Sequence, residues 1–161
     1  MYNMEITLAL LKPHIVRNTY AVQQLKAQME SNFNILAAKD LRVTKELSEC
    51  FYVEHKDKFF YYRLTSFMQS GFCSAFILQS ESCIQKWRQL MGPTKVFKAV
   101  YTDPNCIRAL YGLSDTRNAC HGSDSTVSAL REIGIIFPEF DISRVNSSSK
   151  VINKCVHIKK A

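Results

Sequence analysis

Glycine-rich phosphate loops are missing from this chain. Only five glycines occur in 161 residues, and they form neither G-x-x-x-x-G-K-[ST] nor G-x-G-x-x-G, so any phosphate the protein handles must be held by side chains. No apolar run approaches the ~20 residues of a membrane span. The longest apolar start, Ile6 to Leu11, is too short for a signal-peptide core and follows Glu5 rather than a basic cluster. None of the six cysteines (Cys50, Cys73, Cys83, Cys106, Cys120, Cys155) falls in a C-x-x-C pair. Reduced thiols packed as small hydrophobes are the better reading than disulfides. A zinc site from Cys120, His121, Cys155 and His157 is disfavoured, because Cys-His neighbours on a strand point to opposite faces. The expectation is a soluble, intracellular protein.

What is present fits one globular domain. Hydrophobic residues are 47% and charged residues 22%, and a chain of this length removes roughly 70% of its unfolded surface from water without a staple. The net charge of +7 suggests nucleic acid until it is located. Five basic residues and no acid lie between Arg144 and Ala161, which leaves a net of +2 for residues 1–143. The basic excess therefore belongs to a tail and not to a folded face. The expected organisation is a domain over 1–143 and a basic, mobile tail over 144–161, the latter carrying Ser147-Ser148-Ser149.

Along the chain, Glu5 to Lys12 reads as a buried strand stopped at Pro13. Ala21, Val22, Leu25 and Met29 recur at helical spacing from about Thr19. Phe33 to Val43 is strand-like, with Phe33, Ile35 and Ala37 on one face. Thr44 caps a helix carrying Leu47, Cys50 and Phe51, and a second short helix runs from Phe60 to Gln69. Phe72 to Leu78 is the most β-like run, and Ser80 or Ser82 caps a helix that Gly92-Pro93 ends after Met91. Val96 to Asn105 reads as a loop, and Pro104 opens a short helix through Tyr111. Asn118 to Ser123 is a short strand, and Asp124 or Ser125 begins a helix lasting to Ile133. This order gives an α+β fold, the split βαβ plan of a ferredoxin-like sandwich. Its four-stranded antiparallel sheet carries helices on one face.

The stretch Asn118-Ala119-Cys120-His121-Gly122-Ser123-Asp124-Ser125 is chemically specific. It sets a histidine at a strand end, a glycine that leaves room for a bulky phosphate, and small polar residues capping a helix that contains Glu132. A neutral histidine, held in one tautomer by a carboxylate, is a good phosphoryl acceptor. On spacing alone, a core histidine followed by an ordinary helix cap is the commoner arrangement.

N-x-x-H-G-S-D-S at Asn118 to Ser125 resembles the active-site signature of the nucleoside diphosphate kinases. Thr7 to Pro13 is similar to that family's opening strand and lysine, and Tyr52 with Phe59-Phe60 to its nucleotide-covering helical pair. Arg88, Gly92 and Thr94 resemble an R-x-x-x-G-x-T segment, Ile107-Arg108 an I-R segment, and Ser128 to Gly134 the closing helix. The resemblance covers about residues 5 to 140.

It implies ping-pong transfer of the γ-phosphate of ATP to other nucleoside diphosphates, with His121 as nucleophile and Glu132 bonded to its far ring nitrogen. It also implies that Lys12, Arg88 and Arg108 gather phosphate charge. Thr94 and Asn118 would offer neutral donors, Tyr52 and Ser123 would flank the histidine, and Phe60 would stack on the base. Mg2+ would ride on the nucleotide phosphates, with Asp124 its protein contact through water.

Departures from the pattern are His14 after Lys-Pro, a Thr94–Arg108 loop about three residues longer, Asp115 where an apolar residue commonly closes the base slot, and the ending after Phe140. The resemblance implies a homo-oligomer, typically a hexamer. The altered loop and basic tail lead instead to a smaller or partner-dependent assembly. A second reading is a weakly active family member that acts as a partner-dependent binding or regulatory protein. Membrane association is not expected, nucleic-acid binding is disfavoured, and the expected compartment is the cytoplasm.

Overall fold

The computed structural model describes residues 4–143 and residue 145. Its centre is strand β1 (Met4–Leu11), buried from Ile6 onward. The run is apolar on nearly every position because it is covered on both sides: Ile6, Leu8 and Leu10 join one core, Ala9 and Leu11 the other. β1 pairs antiparallel with β3 (Phe72–Glu81) and β4 (Cys120–Gly122), and β2 (Asn34–Arg42) pairs antiparallel with β3. The order β2-β3-β1-β4 is that of the expected ferredoxin-like sheet.

The expectation of helices on one face is corrected, because helices cover both. Helices α2 (Thr19–Asn32), α5 (Cys83–Met91) and α7 (Ile107–Tyr111) pack Leu25, Met29, Trp87, Met91 and Ile107 onto one side. Helices α3 (Lys45–Phe51), α4 (Tyr61–Met68) and α8 (Thr126–Ile136) pack Phe51, Leu64, Met68, Ile133 and Ile136 onto the other. A sheet whose central strands are apolar on both faces has to be closed on both.

Local differences from the sequence reading have identifiable causes. Phe33, Ile35 and Ala37 do not share a face: a β-bulge between Ile35 and Ala37 sets Ile35 opposite Leu78 and Ala37 opposite Ile77. The extra residue, Leu36, reverses the side-chain parity, so Ile35 packs in the second core and Ala37 in the first. Pro13–Val16 forms an additional short helix, α1, with proline in its first turn. Val96–Thr102 is a helix, α6, rather than loop; burial of Val96 and Ala99 at i and i+3 beside α7 overrides the β-branched and aromatic composition. That leaves Phe97, Val100 and Tyr101 exposed.

Ser80 lies within β3, and Ser82, though at the N-cap of α5, makes no side-chain cap bond. α7 starts at Ile107, not at Pro104. The cap of α8 is Ser125, whose hydroxyl accepts from the Ser128 amide, and that helix continues to Ile136. α5 ends at Gly92, where φ 78 and ψ −172 define backbone space that only glycine enters readily.

Five cysteines are free among the described residues, all buried except Cys50. No helix among the described residues is long and apolar enough to cross a membrane. The tail, with Ser147–Ser149, Cys155 and His157, lies outside the described residues except for Val145, which packs against the first core.

Candidate active site

β4 sets His121 opposite Leu10 of β1. Just before it, Ala119 has φ 74, and the Cys120 amide donates to the Asn118 carbonyl at 2.9 Å, a positive-φ γ-turn. Strain of this kind in a non-glycine residue persists where the surroundings overdetermine it. Here the Ala119 carbonyl accepts from the Lys12 amide at 2.9 Å, so the turn is tied to the end of β1. The Trp87 indole Nε1–H donates to the His121 carbonyl at 3.2 Å. Gly122 is required by this contact, since a Cβ there would lie 2.5 Å from Trp87 Cδ1, and it also lines the cleft into which His121 opens.

The His121 ring is oriented by Glu132. Nε2 lies 2.9 Å from Glu132 Oε2, and the Ser123 hydroxyl donates to the same oxygen at 2.6 Å. Burial pushes the Glu132 carboxyl up, but His121, together with the Ser123 hydroxyl, outweighs it and holds the group below its ordinary value. A carboxylate at Nε2 requires that nitrogen to carry the proton, which leaves Nδ1 with its lone pair. Phe51 and Tyr52 meet the imidazole edge-on, with centroids 5.0 and 6.2 Å away. Ser123 is fully buried and outside the cleft wall, and its hydroxyl supports Glu132.

His121 opens into a cleft of about 580 Å³. Its walls include Lys12, Tyr52, Phe60, Arg88, Thr94, Arg108, Asn118, Asp124 and Glu132. The structure thus brings together every residue singled out from the sequence, Ser123 through its bond to Glu132 and not in the cleft wall. Lys12 Nζ donates to Asn118 Oδ1 at 2.6 Å and to the Thr116 carbonyl at 3.2 Å. The Asn118 amide nitrogen donates to the Thr94 carbonyl at 3.2 Å, so this carboxamide aligns Lys12 with the Thr94 turn. Arg108 donates to the Gly92 carbonyl at 2.9 Å, the Cys120 carbonyl at 3.2 Å and Thr94 Oγ1 at 3.4 Å, with its Nε buried and unpartnered.

Ion pairs among the described residues join Lys39 to Glu139, His121 to Glu132 and Arg131 to Glu54. Lys12, Arg88 and Arg108 therefore converge without a carboxylate partner. Burial, reinforced by Arg108, lowers the Lys12 ammonium to about 8. Burial also lowers Arg108, with Arg88 adding to the effect. Cations that are desolvated and uncompensated in this way await an anion. The Tyr52 hydroxyl is likewise buried and unpartnered, and burial raises its pKa so that it stays a donor.

Two site features escaped sequence reasoning. Arg131 donates from its guanidinium to the Phe51 carbonyl at 3.2 Å and the Cys50 carbonyl at 3.4 Å, with Nε 3.7 Å from Glu54. It thus ties α8 to the end of α3, immediately before Tyr52; a basic residue beside Glu132 was the only available signal. His55 and Arg63 also line the cleft, in a charged stretch that reads as solvated surface.

Asp124 is exposed, and the Ser128 side chain holds its carboxyl below the ordinary value. No group of three or more His, Cys, Asp or Glu residues that could hold a metal occurs among the described residues. One exposed carboxylate beside a cluster of cations suits magnesium carried by nucleotide phosphates, which keeps several of its waters.

Comparison with known proteins accords with this geometry. The family model described as nucleoside diphosphate kinase matches residues 5–142. The chain is similar to nucleoside diphosphate kinase 6 of Xenopus tropicalis, 48% identical over 141 residues, which is 87% of this chain and 79% of that protein. It is 47% identical to the human protein of that name over 142 residues, 88% of this chain and 76% of the relative. Among solved structures, the nucleoside diphosphate kinase of Aquifex aeolicus aligns with a TM-score of 0.79 and 36% identity, covering 84% of this chain and 96% of that one. With the family model matching residues 5–142 and relatives of that name 47–48% identical over most of the chain, this chain belongs to the nucleoside diphosphate kinase family.

Proposed function

We propose that the protein transfers the γ-phosphate of ATP to nucleoside diphosphates through a phosphohistidine on His121. The observation that carries this reading is the His121–Glu132 pair facing Lys12, Arg88 and Arg108, cations with no carboxylate partner. His121 Nδ1 attacks the γ-phosphorus, the bond from that phosphorus to the β–γ bridging oxygen breaks, and the diphosphate leaves with the bond's electrons. A second diphosphate then attacks the phosphohistidine by the reverse path. Nε2–H stays on the ring throughout, and Glu132 stabilises the positive charge that develops there. Arg88 and Arg108 present planar forks to the phosphate oxygens, while Lys12 and the Tyr52 hydroxyl point charge and a proton at the transferring group. Thr94 adds a neutral hydroxyl, and Phe60 offers a π-face to the base. Magnesium, when bound with the nucleotide, neutralises β- and γ-phosphate charge, and Asp124 would hold it through water. Incubation with γ-labelled ATP tests the proposal, because it requires acid-labile label on the protein.

The second reading is a partner-dependent binding protein with weak transfer. The exposed Phe97, Val100 and Tyr101 of α6 favour it, since an apolar row of this kind commonly receives a partner. The same incubation separates the two, with label then appearing only when a partner is added.

Lys12 makes the first reading pH-dependent in a defined direction. Its ammonium, lowered to about 8, is charged below that pH and neutral above it. Nucleotide capture, read as kcat/KM, is therefore expected to fall as pH rises through 8. Bound phosphate favours the charged form, so the alkaline limb of kcat is expected at higher pH than that of kcat/KM. A kcat/KM profile flat across this range would remove Lys12 from phosphate binding.

Arg131 acts at a distance from the phosphate. Its replacement in Arg131→Ala frees the end of α3 from α8, and nucleotide KM is expected to rise between about tenfold and 10²-fold, with a smaller fall in kcat, because Tyr52 loses its placement. Arg131→Lys keeps the charge but not the fork and is expected to restore part of the loss. An unchanged KM in the alanine variant would limit Arg131 to stability.

A further inference from the structure

Lys12 is caged by a loop distant from it in sequence. Its Nζ donates to the Thr116 carbonyl at 3.2 Å and to Asn118 Oδ1 at 2.6 Å, and the residue is buried. The 112–117 loop is closed at its own neck. There the Leu113 amide donates to the Arg117 carbonyl at 2.8 Å and the Arg117 amide to Ser114 Oγ at 3.1 Å. A loop closed in this way moves as one unit, so its position over Lys12 is set where the chain enters and leaves it. The exit is fixed by the Lys12 amide, which donates to the Ala119 carbonyl at 2.9 Å. The entry is Tyr111, the last residue of α7.

At that entry stands His14, one of the departures from the family pattern. Its Nε2 lies 3.2 Å from the Tyr111 carbonyl. A carbonyl only accepts, so Nε2 carries the hydrogen and Nδ1 of the neutral ring keeps its lone pair. Nδ1 is buried and has no hydrogen-bond partner among the described residues. The ring lies 5.7 Å from that of Phe67 in α4, and the Arg117 guanidinium lies over the same phenyl ring at 5.6 Å. Burial lowers the imidazole below its ordinary value, and Lys12 and Arg117 add to the effect against the Tyr111 bond. Near pH 7 the ring is therefore neutral, a single donor aimed at the entry of the loop.

From these contacts we infer that His14 is a positioning residue for nucleotide capture: through the Tyr111 carbonyl it holds the 112–117 loop closed over Lys12 and so aims the ammonium at the phosphates. The inference deepens the proposed transfer and rests on it for the identity of the anion. His14 is not among the residues that line the cleft, so it acts through Lys12 and touches no substrate. The titratable groups that act on Lys12 are Arg108 of α7, Cys120 of β4 and Cys73 of β3, and burial is the largest cause of its lowered value of about 8. A loop released at Tyr111 admits water to Nζ. That water replaces the Thr116 carbonyl as acceptor and returns the ammonium toward its ordinary value of 10.5.

Three variants of the full chain separate the hydrogen bond from the ring. His14→Ala removes both, His14→Phe keeps an aromatic ring against Phe67 without the donor, and His14→Gln restores a side-chain N–H. Nucleotide KM is expected to rise about fivefold to tenfold in the alanine and phenylalanine variants, the worth of one hydrogen bond, with kcat changed less. NMR titration of the Lys12 ε-methylene without nucleotide reads the cage directly, and its midpoint is expected to move upward from about 8 in the same two variants. The alkaline limb of kcat/KM is expected to follow it, and His14→Gln to recover part of each change. A His14→Phe protein with KM and the Lys12 midpoint of the wild type would overturn the inference and leave the transfer reaction standing, whatever its stability. Absence of turnover in the wild type would overturn the transfer reading, and the NMR titration, which needs no turnover, would still decide whether His14 holds the loop over Lys12.

Discussion

His121→Ala is expected to abolish acid-labile labelling by γ-labelled ATP and to lower nucleoside diphosphate kinase turnover by on the order of 10⁴-fold or more, since the nucleophile itself is lost. The fold is expected to survive. Removing the imidazole takes one donor from Glu132 Oε2, but the Ser123 hydroxyl, 2.6 Å away, continues to satisfy it. A stability loss within about 2 kcal/mol follows from that retained bond. Glu132→Gln is expected to lower the rate by less, because Glu132 orients the ring and stabilises its charge without reacting. Persistent acid-labile label on His121→Ala would place the acceptor elsewhere. Global unfolding of that variant would make the histidine a core residue instead.

The largest structural effect is expected at Gly92. Its φ of 78 and ψ of −172 are open to glycine almost alone, and a Cβ built there lands on Cys106 Sγ and Cβ. Gly92→Ala must therefore both strain its own backbone and displace a buried thiol, with an expected loss of about 3 kcal/mol or more. The Gly92 carbonyl also accepts from Arg108 at 2.9 Å, so the variant disturbs this cleft-lining guanidinium as well. Gly134→Ala is the matching control. That glycine lies inside α8, where an added methyl would meet no neighbour within 4 Å, and alanine there is expected to stabilise by about 0.5–1 kcal/mol. Denaturant melts of the two variants moving in opposite directions would support the distinction. A Gly92→Ala protein as stable as wild type would contradict it.

Much of this site could be read before any coordinates. The apolar run of β1, the stop at Pro13, the histidine signature and the cations of three separate segments are short-range patterns, and each is recognisable within a few residues. The alternating fold plan follows because strands and helices impose different periods on their side chains. Partner choice among distant groups is not encoded in that way. Which imidazole nitrogen faces Glu132 depends on how α8 crosses the sheet, and it alone leaves Nδ1 with its lone pair toward the cleft, as the proposed transfer requires. The pairing of Lys12 with Asn118, more than a hundred residues apart, depends on the β1–β4 register.

Ser123 and Gly122 show the same limit from the other side. Both stand in the signature, yet one turns inward to Glu132 and the other makes room for Trp87. A one-residue bulge at Leu36 reverses the faces of β2, and packing on α7 makes a helix of Val96–Thr102. Residue types and local spacing settle which groups are available to a site. Register, packing and burial settle which of them meet and in what protonation state, because those depend on neighbours brought together only when the chain folds.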